Sequence, residues 1–197
     1  MGKNDIAGLI LAGGKARRLG GADKPLLALG RGCMLDCLLG TLRGEACHVA
    51  ISANGDPARF ARFGLPVLAD GRYEGEGPLA GVLAGLNWAS GLGAKALLTV
   101  PGDTPFIPSG LAASLAPAPA CAASNGRPHY LVALWSVSHR GALRQLMDAS
   151  SRRDVAHFAG QIGMRQVEFA TTKWDPFLNV NTPDDLAMAR AIAEGNE

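Results

Sequence analysis

The sequence predicts an α/β domain of three layers, in which helices cover both faces of a mostly parallel central sheet. Short apolar runs alternate along the chain with stretches whose apolar residues recur every three or four positions. The run KALLTV at 95–100 is mostly apolar, which is typical of a strand buried on both faces. With 197 residues, 48% of them hydrophobic and 18% charged, the chain suits a single domain spanning 1–197.

The first half of the chain gives three strands, two helices and a short helical turn. The strands are the apolar runs at 6–12, 48–53 and 66–69. The helices are predicted at 34–42 and 79–86, where apolar residues have helical spacing. Asp56-Pro57 opens the short helix, with Asp as its cap and Pro at its first position.

The second half continues the alternation. Strands are predicted at 95–100, 120–124, 130–135, 164–169 and 177–180, and helices at 108–115, 138–150 and 154–160. A last helix begins at Thr182, whose hydroxyl can cap it, and Pro183 suits its first position. Asp184 and Asp185 follow, and both favour the positive end of the helix dipole.

Polar residues or glycines follow the strands that are predicted to be parallel. Because the carboxyl ends of such strands meet at one edge of the sheet, ligands collect there. The residues just past these ends are Gly13, Gly14, Asn54, Asp70, Asp103, Asn179 and Asn181. The sequence therefore predicts a polar ligand site at this edge.

The segment at 11–26, LAGGKARRLGGADKPL, has the composition of a phosphate-binding loop. Gly13 and Gly14 allow a sharp turn that exposes backbone N–H groups to phosphate oxygens. Arg18 and Lys24 stand on either side of a second glycine pair, so both can converge on one triphosphate. The alternative is a solvated basic loop.

Two better-known nucleotide motifs are excluded. A P-loop needs GxxxxGK followed by Ser or Thr, and here the spacing is wrong and Ala16 replaces the hydroxyl. A GxGxxA match begins at Gly75, but no apolar strand precedes it, so it is not a dinucleotide fingerprint. The stretch from Gly77 to Gly81 is predicted to start a helix and to let a ligand approach the backbone.

Asp103 is the best-placed metal ligand, because it directly follows the predicted central strand. A carboxylate there can hold Mg²⁺ against phosphate oxygens, although a turn or cap role is the alternative. Asn179 and Asn181 alternate on the predicted strand at 177–180 and its end, so they are expected to share a face. His129 and Tyr130 either touch a substrate or belong to a surface turn.

Charge and cysteine usage limit the classes of partner. The formal net charge of +2 is too small for a nucleic-acid or membrane surface. The four cysteines, Cys33, Cys37, Cys47 and Cys121, form no zinc motif and are expected to be buried or partly buried thiols in a reducing compartment. No signal peptide or membrane span is predicted, which indicates a cytoplasmic protein.

Five blocks of the chain resemble the molybdenum cofactor guanylyltransferases. They are LAGGKARRLGGADKPL at 11–26, SANGD at 52–56, LADGRYEGEGPLAG at 68–81, VPGDTPFIP at 100–108 and FLNVNTPDDL at 177–186. The first block is shared by a wider superfamily of nucleotidyltransferases, and the later blocks narrow the resemblance to the molybdenum branch. It implies a Rossmann-like nucleotidyltransferase fold and the transfer of GMP from GTP to molybdenum-molybdopterin, with release of pyrophosphate.

The resemblance also implies roles for individual residues. Leu11, Ala12, Gly13, Gly14 and Lys24 would bind GTP, Asn54 and Asp70 would lie near its base and ribose, and Asp103 would hold Mg²⁺. Gly77, Gly81, Asn179 and Asn181 would bind or approach the pterin. Arg18, Lys24 and Asp103 would be catalytic, since Arg18 and Lys24 would offset charge on the triphosphate and Asp103 would hold the Mg²⁺.

The implied partners are GTP and molybdenum-molybdopterin, together with molybdopterin-delivering proteins and molybdoenzyme chaperones. The stretch from His129 to Leu131 departs from the more polar family pattern, so it receives no catalytic role. Two alternatives stay open. One is a nucleotidyltransferase of the same fold that uses CTP or a sugar phosphate, and the other is a GTP-binding adaptor in molybdoenzyme maturation that lacks turnover.

Overall fold

The fold is given by a computed structural model, which describes residues 2–13, 23–149 and 153–195. The strands in these ranges are β1 (Ile6–Leu11), β2 (Ala28–Leu29), β3 (Gly32–Cys33), β4 (His48–Ser52), β5 (Val67–Leu68), β6 (Ala96–Pro101), β7 (Ala120–Ser124), β8 (Arg127–Ser136) and β9 (Arg165–Glu168). The helices are α1 (Met34–Glu45), α2 (Pro78–Gly91), α3 (Leu111–Leu115), α4 (Arg140–Ala149), α5 (Val155–Gln161) and α6 (Pro183–Ala193). Short 3₁₀ helices lie at Lys3–Asp5, Lys24–Leu26, Pro57–Phe63, Gly71–Tyr73 and Val137–His139.

Seven strands form one sheet in the order β5-β4-β1-β6-β8-β7-β9, and β2 pairs with β3 in a separate small ribbon. The pairs β5-β4, β4-β1, β1-β6 and β7-β9 are parallel, whereas β8 is antiparallel to both of its neighbours. Asn125 and Gly126 explain the reversal, because both have positive φ, as a tight hairpin requires. The mostly parallel sheet predicted from the sequence is confirmed.

The strand register aligns the carboxyl ends of four strands. Leu11 of β1 lies opposite Ser52 of β4 on one side and Pro101 of β6 on the other, and Ser52 lies opposite Leu68 of β5. The residues that follow these strands therefore emerge side by side from one edge. β7 runs in the same direction as β6, so its carboxyl end, Ser124, belongs to this edge as well.

Two apolar clusters lie on the two faces of the sheet. One contains the buried faces of α1 and α3, and the other contains those of α2, α4 and α5. β6 contributes side chains to both clusters, since Leu98 belongs to the first cluster and Leu97 to the second. This alternation along a central strand is the period of two that a doubly covered sheet requires. A third, smaller cluster packs α6 against Leu29 and Met34.

The helix predicted to begin after Thr182 is present, with a complete cap. The Thr182 hydroxyl accepts a hydrogen bond from the Asp185 amide at 3.1 Å, and the Asp185 carboxylate accepts from the Thr182 amide at 2.8 Å. α2 begins at Pro78, where the sequence predicts a helix start after Gly77.

Two expectations are wrong. The segment 177–180 is not a strand, because its backbone bonds locally and to the loop after β6. The Phe177 amide donates to the Asp175 side chain, and the Val180 amide donates to the Asp103 carbonyl. Phe177 and Val180 are buried in two different apolar clusters, and this burial gives the segment the apolar residues that are typical of a strand. Cys47 is exposed rather than buried, because it follows the end of α1; all four cysteines are free thiols.

None of the helices in the described ranges is long and apolar enough to cross a membrane.

Candidate active site

A cleft of about 670 Å³ opens at the aligned carboxyl ends of β1, β4, β5 and β6. It is lined by Leu11, Ala12, Gly13, Asp23, Lys24, Pro25, Ser52, Asn54, Gly55, Arg59, Asp70, Glu74, Gly75, Gly77, Pro78, Gly81, Pro101, Gly102, Asp103 and Leu131. Most of the predicted site residues are among them. Gly14 and Arg18 lie outside the described residues.

The end of β1 and the residue after it are held from both sides by the neighbouring strands. The Ala12 amide donates to the Ser52 carbonyl at 2.8 Å, and the Gly102 amide donates to the Leu11 carbonyl at 2.9 Å. Ala12 is buried and Gly13 is exposed. The backbone therefore leaves the sheet at Gly13 from a fixed position and enters the cleft there.

Lys24 joins three distant parts of the chain. Its Nζ lies 3.2 Å from the Asp103 carboxylate and donates a second hydrogen bond to the Asn181 side-chain oxygen. The Lys24 and Asp103 side chains are 15% and 23% exposed, so the pair is largely shielded from water while it still faces the cleft. The sequence predicts that Lys24 and Asp103 serve one site, and the structure brings them together.

Gly102 allows the close approach that makes this pair. A Cβ at this position would lie 2.5 Å from the Pro25 ring and 3.2 Å from the Leu11 carbonyl oxygen. Only glycine therefore lets the segment after β6 pass beside the residue that follows Lys24.

Asn54 and Asp70 form a second polar pair on the other side of the cleft. The Asn54 Nδ2 donates to Asp70 Oδ2 at 2.7 Å, and the Asp70 amide donates back to Asn54 Oδ1 at 2.9 Å. Asp70 Oδ1 is buried and has no hydrogen-bond partner among the described residues. Burial raises the pKa of Asp70, the Asn54 hydrogen bond opposes this, and nearby Glu74 adds to the rise. One oxygen of the pair is thus buried without a hydrogen-bond partner among the described residues.

The amino terminus of α2 forms the floor between these two pairs. Gly77 has φ of 88°, which favours glycine, and Pro78 occupies the first helical position. A Cβ at Gly81 would lie 2.5 Å from the Ser52 hydroxyl and 3.5 Å from Asp70 Oδ1. Gly81 therefore lets α2 pack closely against the end of β4, and the positive end of a 14-residue helix faces the cleft.

Asn179 and Asn181 do not line the cleft. They are also not on a strand, so the expectation that alternation along a strand places them on one face is wrong. Each has its own partner instead. The Asn179 Oδ1 accepts from the Thr104 hydroxyl at 2.7 Å, while Asn181 accepts from Lys24. Asn181 thus supports Lys24 directly, whereas Asn179 holds Thr104, the residue after Asp103.

Arg59 is a cleft residue that the sequence reasoning missed. Its guanidinium lies 3.0 Å from the Asp23 carboxylate, donates to the Asn54 carbonyl at 2.6 Å and stacks 4.7 Å from the centre of the Phe60 ring. It thereby links the segment before Lys24 to the end of β4. The cap at Asp56 predicts the short helix that contains Arg59. Nothing in the sequence, however, indicates the contact of Arg59 with Asp23.

His129 and Tyr130 lie on β8 and not in a surface turn. Both are partly buried, and the His129 ring packs 5.0 Å from that of Phe177. Neither side chain lines the cleft.

Among the described residues, no three His, Cys, Asp or Glu side chains are grouped as a self-sufficient metal site. Asp103 supplies one carboxylate at the Lys24 end of the cleft, and its Oδ2 contacts Lys24. Mg²⁺ is commonly held by one or two carboxylates together with phosphate oxygens and water. The donor set therefore fits a metal that arrives with a nucleotide.

Comparison with a family model matches residues 8–164 to the MobA-like NTP transferase domain. A molybdenum cofactor guanylyltransferase of Acidiphilium cryptum is 55% identical over 94% of this chain and 94% of its own. One from Mesorhizobium japonicum is 47% identical over 98% of both chains.

Solved structures share the fold at lower identity. The molybdopterin-guanine dinucleotide biosynthesis protein A of Archaeoglobus fulgidus is 19% identical, with a TM-score of 0.73 over 96% of this chain and 99% of its own. A 2-C-methyl-D-erythritol 4-phosphate cytidylyltransferase of Thermus thermophilus is 18% identical, with a TM-score of 0.62 over 94% and 98%. The same fold therefore occurs in a protein named for cytidylyl transfer.

Proposed function

Since the chain belongs to the molybdenum cofactor guanylyltransferases, with their MobA-like NTP transferase domain, we propose that it transfers GMP from GTP to molybdenum-molybdopterin. The chain is a nucleotidyltransferase. The products are the guanine dinucleotide form of the cofactor and pyrophosphate. The observation that carries the proposal is the convergence of the turn after β1, Lys24 and Asp103 in one cleft.

The two polar pairs divide the cleft into a phosphate end and a base end. Lys24 and the backbone at Gly13 would bind the triphosphate, because both line one end of the cleft. Asn54 and Asp70 line the other end and would lie near the base and ribose, and the Asn54 hydrogen bond holds the Asp70 carboxylate in place. Gly14 and Arg18 are also proposed to bind the phosphates, and this part of the proposal rests on the sequence alone.

The charge of the described cleft supports a divalent cation. Its lining includes the bases Lys24 and Arg59 and the acids Asp23, Asp70, Glu74 and Asp103. A triphosphate beside this acidic excess needs additional positive charge. We propose Mg²⁺ held by Asp103; when bound, it supplies charge neutralisation between phosphate oxygens.

The chemistry needs no covalent enzyme intermediate. A phosphate oxygen of molybdopterin forms a bond to the α-phosphorus of GTP, and the bond from that phosphorus to the bridging oxygen of the β-phosphate breaks. The electron pair leaves with pyrophosphate. Lys24 and Arg18 would stabilise the charge of the triphosphate and of the leaving group, so the catalysis is positioning together with electrostatics.

The second substrate would approach from the side of α2 and of the loop that carries Asn179 and Asn181. Gly77 leaves room there, because a Cβ at its position would meet nothing within 4 Å, and Gly81 lets the backbone of α2 pack close to the cleft. Delivery of the pterin by a molybdopterin-carrying protein, hand-over to molybdoenzyme chaperones and a cytoplasmic location are parts of the proposal. The free thiols of all four cysteines suit a reducing compartment.

The proposal is tested by D103A, with labelled GTP or CTP offered together with molybdenum-molybdopterin and Mg²⁺. We expect transfer from GTP by the natural chain and a fall of roughly 100-fold or more in D103A, because the carboxylate proposed to hold Mg²⁺ at the reacting phosphates is lost. The matched control is D5A, which removes a second Lys–Asp pair, Asp5 with Lys95 at 2.9 Å, at the opposite edge of the sheet. Transfer from CTP alone would reject the guanylyl assignment, nucleotide binding without transfer would favour the adaptor, and full activity of D103A would reject the metal role.

A further inference from the structure

Ser124, His129 and Asp175 form a hydrogen-bonded chain at the same edge of the sheet as the cleft. The Ser124 Oγ lies 2.7 Å from His129 Nε2 and 2.7 Å from Asp175 Oδ2. Ser124 is 1% exposed and ends β7, and His129 lies on the adjacent strand β8, where it is paired with Ala122 of β7. None of the three side chains lines the cleft.

The donor and acceptor roles in this chain follow from the number of hydrogens. A hydroxyl has one hydrogen, and an ionised carboxylate can only accept. Ser124 therefore donates to Asp175, and its oxygen accepts from His129, which carries its hydrogen on Nε2. A serine nucleophile needs the reverse, a hydroxyl that donates to a histidine. The three residues are thus not a hydrolytic triad, despite their composition.

Asp175 passes this connection on to the loop at 175–181. Its other oxygen, Oδ1, accepts from the Phe177 amide at 2.8 Å, and its carbonyl accepts from the Leu178 amide at 3.1 Å. The Phe177 ring is 1% exposed and packs against both His129 and Phe169. One end of the loop is therefore fixed to the β7–β8 hairpin.

The other end of the loop meets the candidate active site. Asn179 accepts from Thr104, the Val180 amide donates to the Asp103 carbonyl at 2.9 Å, and Asn181 accepts from Lys24. Only a few residues separate these contacts from Asp175. A shift of the carboxylate would consequently move the oxygens that support Lys24 and Asp103.

We infer that Ser124, His129 and Asp175 are positioning residues for the transfer step and act through the loop at 175–181. They set where Asn179 and Asn181 meet Thr104 and Lys24. This inference rests on the proposed function, since it concerns the rate of the same reaction. It also accounts for the buried serine and the partly buried histidine, neither of which touches the cleft.

The test compares S124A with S136A. Both replace a serine of the β7–β8 hairpin that makes a hydrogen bond at 2.7 Å to another side chain, but Ser136 lies at the far end of β8, bonded to Ser138. In S124A we expect faster hydrogen exchange at the amides of Phe177, Leu178 and Val180. We also expect a fall in kcat of about 10-fold to 100-fold, because small displacements at a reacting site cost about this much. KM for GTP should rise as well, because Asn181 holds Lys24, which is proposed to bind the triphosphate. S136A should change none of these readouts.

A double-mutant cycle with N179A separates positioning from general destabilisation. If Ser124 acts through the loop, S124A should reduce kcat much less in N179A than in the natural chain. Equal losses in both backgrounds, or unchanged kcat and unchanged exchange in S124A, would overturn the inference. If the natural chain itself does not transfer GMP, the proposed function fails, and unchanged exchange in S124A would then separately reject the loop contact.

Discussion

At the scale of single residues, Lys24 connects the parts of the candidate site through its contacts with Asp103 and Asn181. It neutralises Asp103 and contacts Asn181 in the free protein, so its ammonium is already in place before any nucleotide arrives. Because Lys24 is already paired, GTP must replace existing contacts of its ammonium. The free energy that Lys24 contributes to nucleotide affinity is the difference between its contacts with phosphate and those with Asp103.

We expect K24A to weaken GTP binding by about 2 kcal/mol, the lower part of the roughly 2–4 kcal/mol range for one or two charge-assisted hydrogen bonds. That corresponds to a rise in Kd of roughly 30-fold, measurable by calorimetric titration. K95A is the control, because Lys95 also pairs with an aspartate but at the opposite edge of the sheet. An unchanged Kd in K24A would contradict the phosphate role.

Cys121 gives a pH dependence that is independent of the active site. It is fully buried, and burial raises the pKa of its thiol to about 11. The unfolded thiol ionises at about 8.5, so the stability due to neutral Cys121 is fully present below that pH and is lost as the pH rises towards 11. Urea unfolding at pH 7.5 and pH 10.5 should show a loss in the natural chain that exceeds that in C121A by up to roughly 3 kcal/mol. Equal losses would show that the thiol is not shielded.

At the scale of elements, α6 and the loop before it share their hydrogen bonds. The Asp185 carboxylate accepts from the amides of Asn181 and Thr182, and these bonds lower its pKa, the Asn181 amide being the largest cause. The cap of the helix thus also fixes the backbone of Asn181. The amino terminus of α6 and Asn181, which contacts Lys24, are therefore held by the same carboxylate.

T182A should lower the free energy of unfolding by about 0.5–2 kcal/mol, since an N-cap hydroxyl that accepts from the Asp185 amide is lost. Urea unfolding measures the change, and T171A, which alters an exposed threonine after β9, is the control. Because the Asp185 bonds to the two backbone amides remain, we expect kcat to fall less than in S124A. Equal stability of T182A and T171A would contradict the capping role.

At the scale of the whole molecule, the sheet is held by two apolar clusters that share its central strands. Leu97 and Leu98 are both fully buried, on opposite faces of β6. Gly85 of α2 packs so closely on the second face that a Cβ there would lie 2.8 Å from Leu97 Cδ2. Because neither face can open without exposing the same strands, we expect the chain to unfold as one unit.

L97A and L98A should each lower the free energy of unfolding by about 2–5 kcal/mol, and each should keep a single transition in urea. L92A, which truncates a leucine that is 42% exposed, should change it by less than about 0.5 kcal/mol. Two separate transitions in either core variant would contradict the single domain that the sequence predicts.

The sequence by itself determined the class of fold, the order of most elements and about half of the cleft lining. Strand runs, helical spacing and caps are local patterns, so Ile6–Leu11, Pro78–Gly91 and the start of α6 could be predicted from neighbouring residues. Gly13, Asn54, Asp70 and Asp103 could be placed at one edge because parallel strands must end together.

Only the tertiary structure decided which side chains touch. The approach of Lys24 to Asp103, the link from Arg59 to Asp23 and the chain from Ser124 to Asp175 all join residues far apart in sequence. The loop at 177–180 shows why local patterns fail there. Its apolar residues are buried by separate clusters, and its amides bond to Asp175 and Asp103, partners that no local period can indicate.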